Sequence, residues 1–309
     1  MTDTRGNAVA IMGATATGKS NVAIQLAEMF GGEVVSMDSR QVYRGLDIGT
    51  AKVSASKRRG ISHHLIDILD PDEPNSAGKH VERALAACAG IIGRRRVPIL
   101  AGGTGLYFRA LFYGLIDVAV DGEKAANLRK TLSEKTTKAL RAELKALDPT
   151  RADELHESDR LRILRALEIF HLTGKPYSEN VRSQVNALPW AGSKIVLTMP
   201  RDRLRARIAE RTREMFEAGW VNEVRGLLRA GRKKDAAGML SLGYREIAAA
   251  LEGGGDPSTC IDTIITQTRK YAKRQETFFR SESDAVWIDV TESNFMDRVV
   301  SSARGGLGL

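Results

Sequence analysis

The chain has 309 residues, 42% hydrophobic and 28% charged, with 47 Lys and Arg against 38 Asp and Glu. That length supports a substantial core in one large domain or two smaller ones. No apolar run approaches the ~20 residues that span a bilayer, so a membrane role is not expected. Met1 to Ala10 lack the basic start and long apolar stretch of a signal peptide, and a cytoplasmic protein is expected. Cys88 and Cys260 sit among apolar or small neighbours and read as free thiols; two cysteines exclude a four-cysteine zinc site. The net charge of +9 bears on partners, not on fold.

Ala8-Val-Ala-Ile-Met12 is a short apolar run ending in glycine, the pattern of a buried parallel strand. Helical spacing follows through Val22, Leu26 and Met29, Gly31-Gly32 closes that helix, and Glu33–Met37 reads as the next strand. Further strands are expected at His64–Leu69, Val97–Ala101, Ile195–Met199 and Val286–Val290. This order predicts an α/β fold, a P-loop NTPase-like parallel sheet flanked by helices. Strand patterns disappear between about 118 and 190. Leu140, Leu144 and Leu147 recur at helical spacing there, as do Ile163, Leu167 and Phe170, and Thr173-Gly-Lys-Pro176 is a helix stop. The expected organisation is a catalytic core of residues 1–117 plus 191–309, interrupted by an all-helical insertion domain, 118–190.

Gly13-Ala14-Thr15-Ala16-Thr17-Gly18-Lys19-Ser20 matches G-x-x-x-x-G-K-[ST] between a strand and a helix. Glycines let backbone N–H groups curl around a phosphate, and the helix N-terminus adds partial positive charge. Lys19 reaches the outer phosphate and the Ser20 hydroxyl can hold Mg²⁺. Asp38 follows the second strand, so it should face that loop from the carboxyl edge of the sheet. It reads as a Mg²⁺ ligand, a general base or a helix cap. Gly102-Gly103-Thr104-Gly105 should form a second loop at the same edge, or a plain turn. His63 and His64 point to opposite faces of a strand and are not expected to share a metal. Residues 201–234 hold 11 Lys and Arg against 5 Asp and Glu, and 269–280 interleave five basic residues with aromatics. That pattern suits phosphate contacts plus base stacking, or a solvated helix face with its aromatics in the core.

Together these pieces resemble the bacterial tRNA dimethylallyltransferases. The resemblance rests on Gly13–Ser20, Asp38-Ser-Arg-Gln-Val-Tyr43, Asp47-Ile-Gly-Thr-Ala-Lys52, His63-His-Leu-Ile-Asp67 and Gly102-Gly-Thr-Gly-Leu-Tyr107. Arg165-Ala-Leu-Glu168, Gly243-Tyr-Arg-Glu246 and Thr268-Arg-Lys-Tyr-Ala-Lys-Arg-Gln275 follow in family order. It implies that the P-loop holds the pyrophosphate of dimethylallyl diphosphate and that Asp38 is the base on an adenine amine. Thr104 and Arg225 would bind the departing pyrophosphate, with Mg²⁺ as cofactor. Asp38, Ser39, Arg40, Gln41, Thr104, Arg129, Leu161, Arg162, Ile163, Leu164, Arg165, Gly243, Tyr244 and Arg245 would touch the tRNA anticodon stem-loop. The implied product is N6-isopentenyladenosine at position 37, made by a monomer. Ala14 stands where proline is common, Ser20 where threonine is common, and Phe278 where tryptophan is frequent. A P-loop kinase or NTPase would explain Gly13–Ser20 but not the basic segment. A prenyltransferase acting on free nucleotide would need neither that segment nor the insertion. An RNA-binding protein with a relic P-loop would not need Lys19, Ser20 and Asp38 together.

Overall fold

A computed structural model describes residues 8–114, 122–183 and 192–309. The chain forms two compact units, residues 1–111 with 189–309 and residues 112–188. The domain limits expected at 117/118 and 190/191 lie outside the described residues.

The first unit is built on a six-stranded sheet in the order β3-β2-β4-β1-β5-β6, every pair parallel. The strands are β1 (Ala8–Gly13), β2 (Gly32–Ser36), β3 (His63–His64), β4 (Val97–Ala101), β5 (Gly192–Thr198) and β6 (Val286–Asp289). β3 is shorter than expected from His64–Leu69, because Leu65 and Asp67 take positive φ and break the extended backbone. α1 (Lys19–Phe30) and α2 (Ala77–Gly93) pack on β2 and β4, and α3 (Gly105–Tyr113) follows β4. α1 ends at Gly31, whose φ of 62° supplies the left-handed cap.

The second unit holds α4 (Gly122–Ser133), α5 (Thr137–Leu147), α6 (Pro149–Glu154), α7 (Arg160–Thr173) and α8 (Tyr177–Ser183). Leu132, Leu140, Leu144, Ala152, Ile163 and Leu167 lie in its core; Leu140, Leu144, Ile163 and Leu167 are positions the helical spacing predicts, Leu147 packs against that core, and Phe170 is not part of it. α7 stops at Gly174 in the left-handed region, φ 71°. The first unit then continues with α9 (Arg201–Glu217), α10 (Trp220–Arg229), α11 (Tyr244–Glu252), α12 (Ile261–Phe279) and α13 (Phe295–Leu307).

β1 is buried along its whole length, and Val9 and Ile11 pack against Val22 and Leu26 of α1 and Val299 of α13. A second cluster gathers Val42, Tyr43 and Leu46 with Trp220, Met239, Tyr244 and Ile247. The register sets Ser36 and Ile11 each beside Ala101. The chain therefore leaves β2, β4 and β1 at neighbouring points of one carboxyl edge, where α/β sheets bind ligands. No described helix is long and apolar enough to cross a membrane.

Candidate active site

The loop after β1 is shaped by its own small residues. Gly13 has φ 140°, and a Cβ there would lie 2.3 Å from the Leu197 carbonyl oxygen on β5. Ala16 and Gly18 also take positive φ, 67° and 90°. The Thr17 hydroxyl and Lys19 Nζ both donate to the Ala14 carbonyl, at 2.9 and 2.6 Å. Gly13, Ala14 and Thr17 thus hold the loop's form, while Thr15, Ala16, Gly18, Lys19 and Ser20 line a cavity of about 450 Å³. Asp38, Gln41, Arg207 and Arg211 line it too. Burial lowers the Lys19 pKa to about 7; Asp38 opposes the shift and Arg211 adds to it. A site that strips protons from a lysine is one short of negative charge, which a polyphosphate supplies.

Asp38 follows β2. Its Oδ1 accepts from the N–H groups of Arg40 and Gln41, at 2.8 and 3.3 Å, which fixes the carboxylate. Among the described residues, Oδ2 accepts no hydrogen bond. The Thr104 hydroxyl accepts from Ser39 N at 3.1 Å, so the loop after β4 is tied to the loop after β2. Three glycines permit that closeness. A Cβ would lie 2.1 Å from Met37 O at Gly102, 2.1 Å from Gln275 Nε2 at Gly103 and 2.1 Å from the Phe278 ring at Gly105.

A second cavity, about 370 Å³, shares Thr15, Asp38, Thr50 and Arg211 with the first. Its other walls include Trp220, Met215, Leu240, Tyr271, Arg40, Arg245 and Arg274. One space is basic and backed by the P-loop, the other aromatic and apolar with a cationic rim, and Asp38 stands where they meet.

The Asp47–Lys52 motif braces this wall. The buried Lys52 ammonium holds Asp47 Oδ1 at 2.7 Å and also binds Asp67 and the Tyr43 carbonyl. Gly49 lies flat against the Trp220 indole, and its N–H donates to the Tyr244 hydroxyl at 3.1 Å. His63 and His64 serve the fold, His63 Nδ1 near Ile61 O and His64 Nε2 against Glu33.

Several expected site residues are placed otherwise. Arg225 lines neither cavity; it is five residues past Trp220, about 140° around α10, and donates to Asn222. The arginines beside the phosphate loop are Arg207 and Arg211, and Arg211 Nη2 donates to the Thr15 hydroxyl at 2.5 Å. Tyr244 is fully buried, its hydroxyl donating to Glu223 and accepting from Gly49, so its side chain does not present to RNA. Gly243 is there because a Cβ would meet the Trp220 ring at 2.0 Å. Ile163 is fully buried in the second unit's core and Leu164 packs against that core. Leu161 (80% exposed), Arg162 and Arg165 do reach the surface of α7. Arg129 forks onto the buried Glu168 at 2.6 and 2.8 Å. The residue most clearly missed is Gln275, which bonds both loops across 260 and 172 positions of sequence; no local pattern announces such a partner.

The family described as IPP transferase matches residues 41–282, and that described as isopentenyl transferase matches residues 6–69. A tRNA dimethylallyltransferase of Heliobacterium modesticaldum is 41% identical over 308 residues, covering 96% of this chain and 95% of that protein. One from Halorhodospira halophila is 44% identical over 302 residues, 96% of this chain and 97% of the relative. The crystal structure of the full-length tRNA isopentenylpyrophosphate transferase from Bacillus halodurans superposes with a TM-score of 0.72 at 36% identity, over 98% of this chain and 97% of that one. A eukaryotic dimethylallyltransferase acting on tRNA gives a TM-score of 0.82 at 28% identity, over 96% and 77%. A match that spans the P-loop, the Asp38 loop and the basic helices leaves one assignment: the chain belongs to the IPP transferase family of tRNA dimethylallyltransferases.

Proposed function

We propose that this protein transfers a dimethylallyl group from dimethylallyl diphosphate to the N6 amine of adenosine 37 in tRNA, releasing pyrophosphate. The observation that carries the reading is the position of Asp38 between a cavity lined by the P-loop and an aromatic one. The donor's diphosphate occupies the P-loop side and the target base the aromatic side, so the carbon and the nitrogen that join meet beside one carboxylate.

An exocyclic adenine amine is a weak nucleophile because its lone pair is delocalised. Asp38, held through Oδ1, offers Oδ2 to take the amine proton as the C–N bond forms, a contribution of ~10²–10⁴-fold. The leaving pyrophosphate gains charge as the allylic C–O bond breaks. Lys19, Arg211 and the loop N–H groups meet that charge without reorganising. The residues fit Mg²⁺, which prefers one or two protein oxygens plus phosphate oxygens and water. Ser20 and Asp38 line one cavity, and among the described residues no cluster of three or more acidic, His or Cys ligands competes. When bound there, Mg²⁺ would neutralise charge on the diphosphate. Arg40, Arg245 and Arg274 at the rim, with Lys270 and Lys273 exposed on α12, provide phosphate contacts for the anticodon stem-loop.

The test is incubation with labelled dimethylallyl diphosphate, Mg²⁺ and bulk tRNA, followed by digestion. Isopentenyladenosine appears with the wild type. With Asp38→Asn the rate falls by orders of magnitude while tRNA affinity stays within a few fold. ATP hydrolysis stimulated by tRNA, with no prenyl transfer, would overturn the reading.

A further inference from the structure

Thr15, the third residue of the phosphate loop, differs from its neighbours in what its donor does. Its N–H is turned into a 2.8 Å bond with Gln275 Oε1, and its hydroxyl accepts from Arg211. The N–H groups of Ala16, Thr17, Gly18, Lys19 and Ser20 have no acceptor among the described residues, and four of these five residues line the phosphate cavity. The free part of the cradle therefore begins at residue 16.

Gln275 is held firmly enough to keep that donor. It is 6% exposed on α12, and its Nε2 donates to the Gly103 carbonyl at 2.8 Å. Gly103 has no room for a Cβ because the Gln275 amide fills the space. Both ends of the carboxamide are used, so its orientation is set: the oxygen faces Thr15 and the nitrogen faces Gly103. Gln275 does not line the phosphate cavity; it acts through Thr15.

In a P-loop successive backbone N–H groups cradle the phosphates, so each donor withdrawn shortens the cradle. We propose that Gln275 is a specificity-determining positioning residue: by capping Thr15 N–H it shortens the cradle to two phosphates and disfavours a third. The inference rests on the P-loop as a diphosphate site. It explains how a loop with a complete G-x-x-x-x-G-K-S sequence discriminates against nucleoside triphosphates.

The experiment measures binding of inorganic pyrophosphate and of inorganic tripolyphosphate to the full chain by calorimetry at fixed free Mg²⁺. The wild type binds pyrophosphate at least as tightly as tripolyphosphate. Gln275→Met keeps the volume but frees Thr15 N–H, and the affinity ratio moves toward tripolyphosphate by at least fivefold. Gln275→Glu keeps an acceptor for Thr15 and gives up the bond to Gly103, so its ratio stays at or below the wild-type value. A simple brace between two loops would weaken both ligands together, and an unchanged ratio in folded Gln275→Met overturns the proposal while leaving the diphosphate site standing. A wild type that binds no pyrophosphate overturns both.

Discussion

Arg129 separates two readings of the insertion, an RNA contact by resemblance and a strut by structure. Its guanidinium forks onto Glu168, which is 4% exposed and has Arg165 Nη1 at 3.3 Å as its other cation. Burial alone would raise the Glu168 pKa; the hydrogen bonds and charges of Arg129 and Arg165 outweigh it and hold the carboxyl below the usual glutamate range. Breaking a fully buried pair costs ~3–5 kcal/mol and breaking an exposed one ~0–1 kcal/mol. Here the acid is buried, the Arg129 side chain is 66% exposed, and Arg165 stays behind after truncation. Solvent screening on the arginine side brings the cost of Arg129→Met to about 1–2 kcal/mol. Local opening of α4 and α7 should then rise roughly 5- to 30-fold. Native-state hydrogen exchange reads this directly, and tRNA affinity measured in the cold, where the unit stays folded, should change less than about threefold. Arg129→Lys keeps the charge but loses the fork, so it should open almost as readily. Unchanged exchange in Arg129→Met together with a tenfold loss of tRNA affinity, rescued by lysine, would refute the strut and restore the RNA contact.

Arg211→Ala should weaken pyrophosphate binding by roughly tenfold or more, the scale of one charge-assisted hydrogen bond, whereas Arg225→Ala should leave it within about twofold; calorimetry giving the reverse order would sink the placement of these arginines. Gly49→Ala sets a Cβ 2.1–2.4 Å from the Trp220 ring, which is 2% exposed and has nowhere to move. It should lower kcat/KM for tRNA while sparing pyrophosphate affinity, and equal losses in both would contradict the separation of the two cavities. Glu33 is held below the usual range chiefly by its hydrogen bond from Arg94, with His64 adding to it. A depressed carboxyl contributes stability that is fully present above its unfolded pKa and lost as pH falls through the folded value. Urea midpoints should therefore drop more steeply below about pH 4.5 in the wild type than in Glu33→Gln, and parallel curves would show that the pair contributes nothing.

How far the sequence could be read follows from the range of the forces involved. The P-loop is legible because its geometry is set by neighbours in sequence: Gly13 and Gly18 supply positive φ, and Thr17 and Lys19 close on Ala14 within five residues. Five strands lie where short apolar segments predict them. β3 falls short of the expected His64–Leu69 because that run owes its burial to a loop that crosses Tyr43, with Arg44 N bonded to Leu69 O. In the insertion the helical spacing marks Ile163 as a core position while the resemblance makes Leu161–Arg165 tRNA contacts; the structure buries Ile163, two positions from the exposed Leu161, because a motif copied whole carries both faces of a helix. Arg225 and Arg211 illustrate the same limit: both sit in a basic run, and only the packing of α9 and α10 decides which reaches the phosphate loop.

The basic and aromatic segment on α12 had two readings, RNA contacts or a solvated face with its aromatics inside. Helical geometry divides it between them. Tyr271, Gln275 and Phe279 recur every fourth residue and turn toward the sheet, with Phe279 fully buried and Tyr271 in the wall of the aromatic cavity. Lys270, Lys273, Arg274 and Arg280 are exposed. Burial pushes the Tyr271 hydroxyl up to about 12, keeping it protonated beside Thr104 at neutral pH. One helix therefore carries exposed cations on one face and the residue that caps Thr15 on the other. Neutralising Lys270 and Lys273 should flatten the salt dependence of tRNA binding by nearly one unit of slope per lost phosphate contact on duplex RNA and leave the preference between pyrophosphate and tripolyphosphate untouched. Changing Gln275 should do the opposite. If both substitutions moved both quantities, the two faces of α12 would not act separately, and RNA docking would itself adjust the phosphate loop.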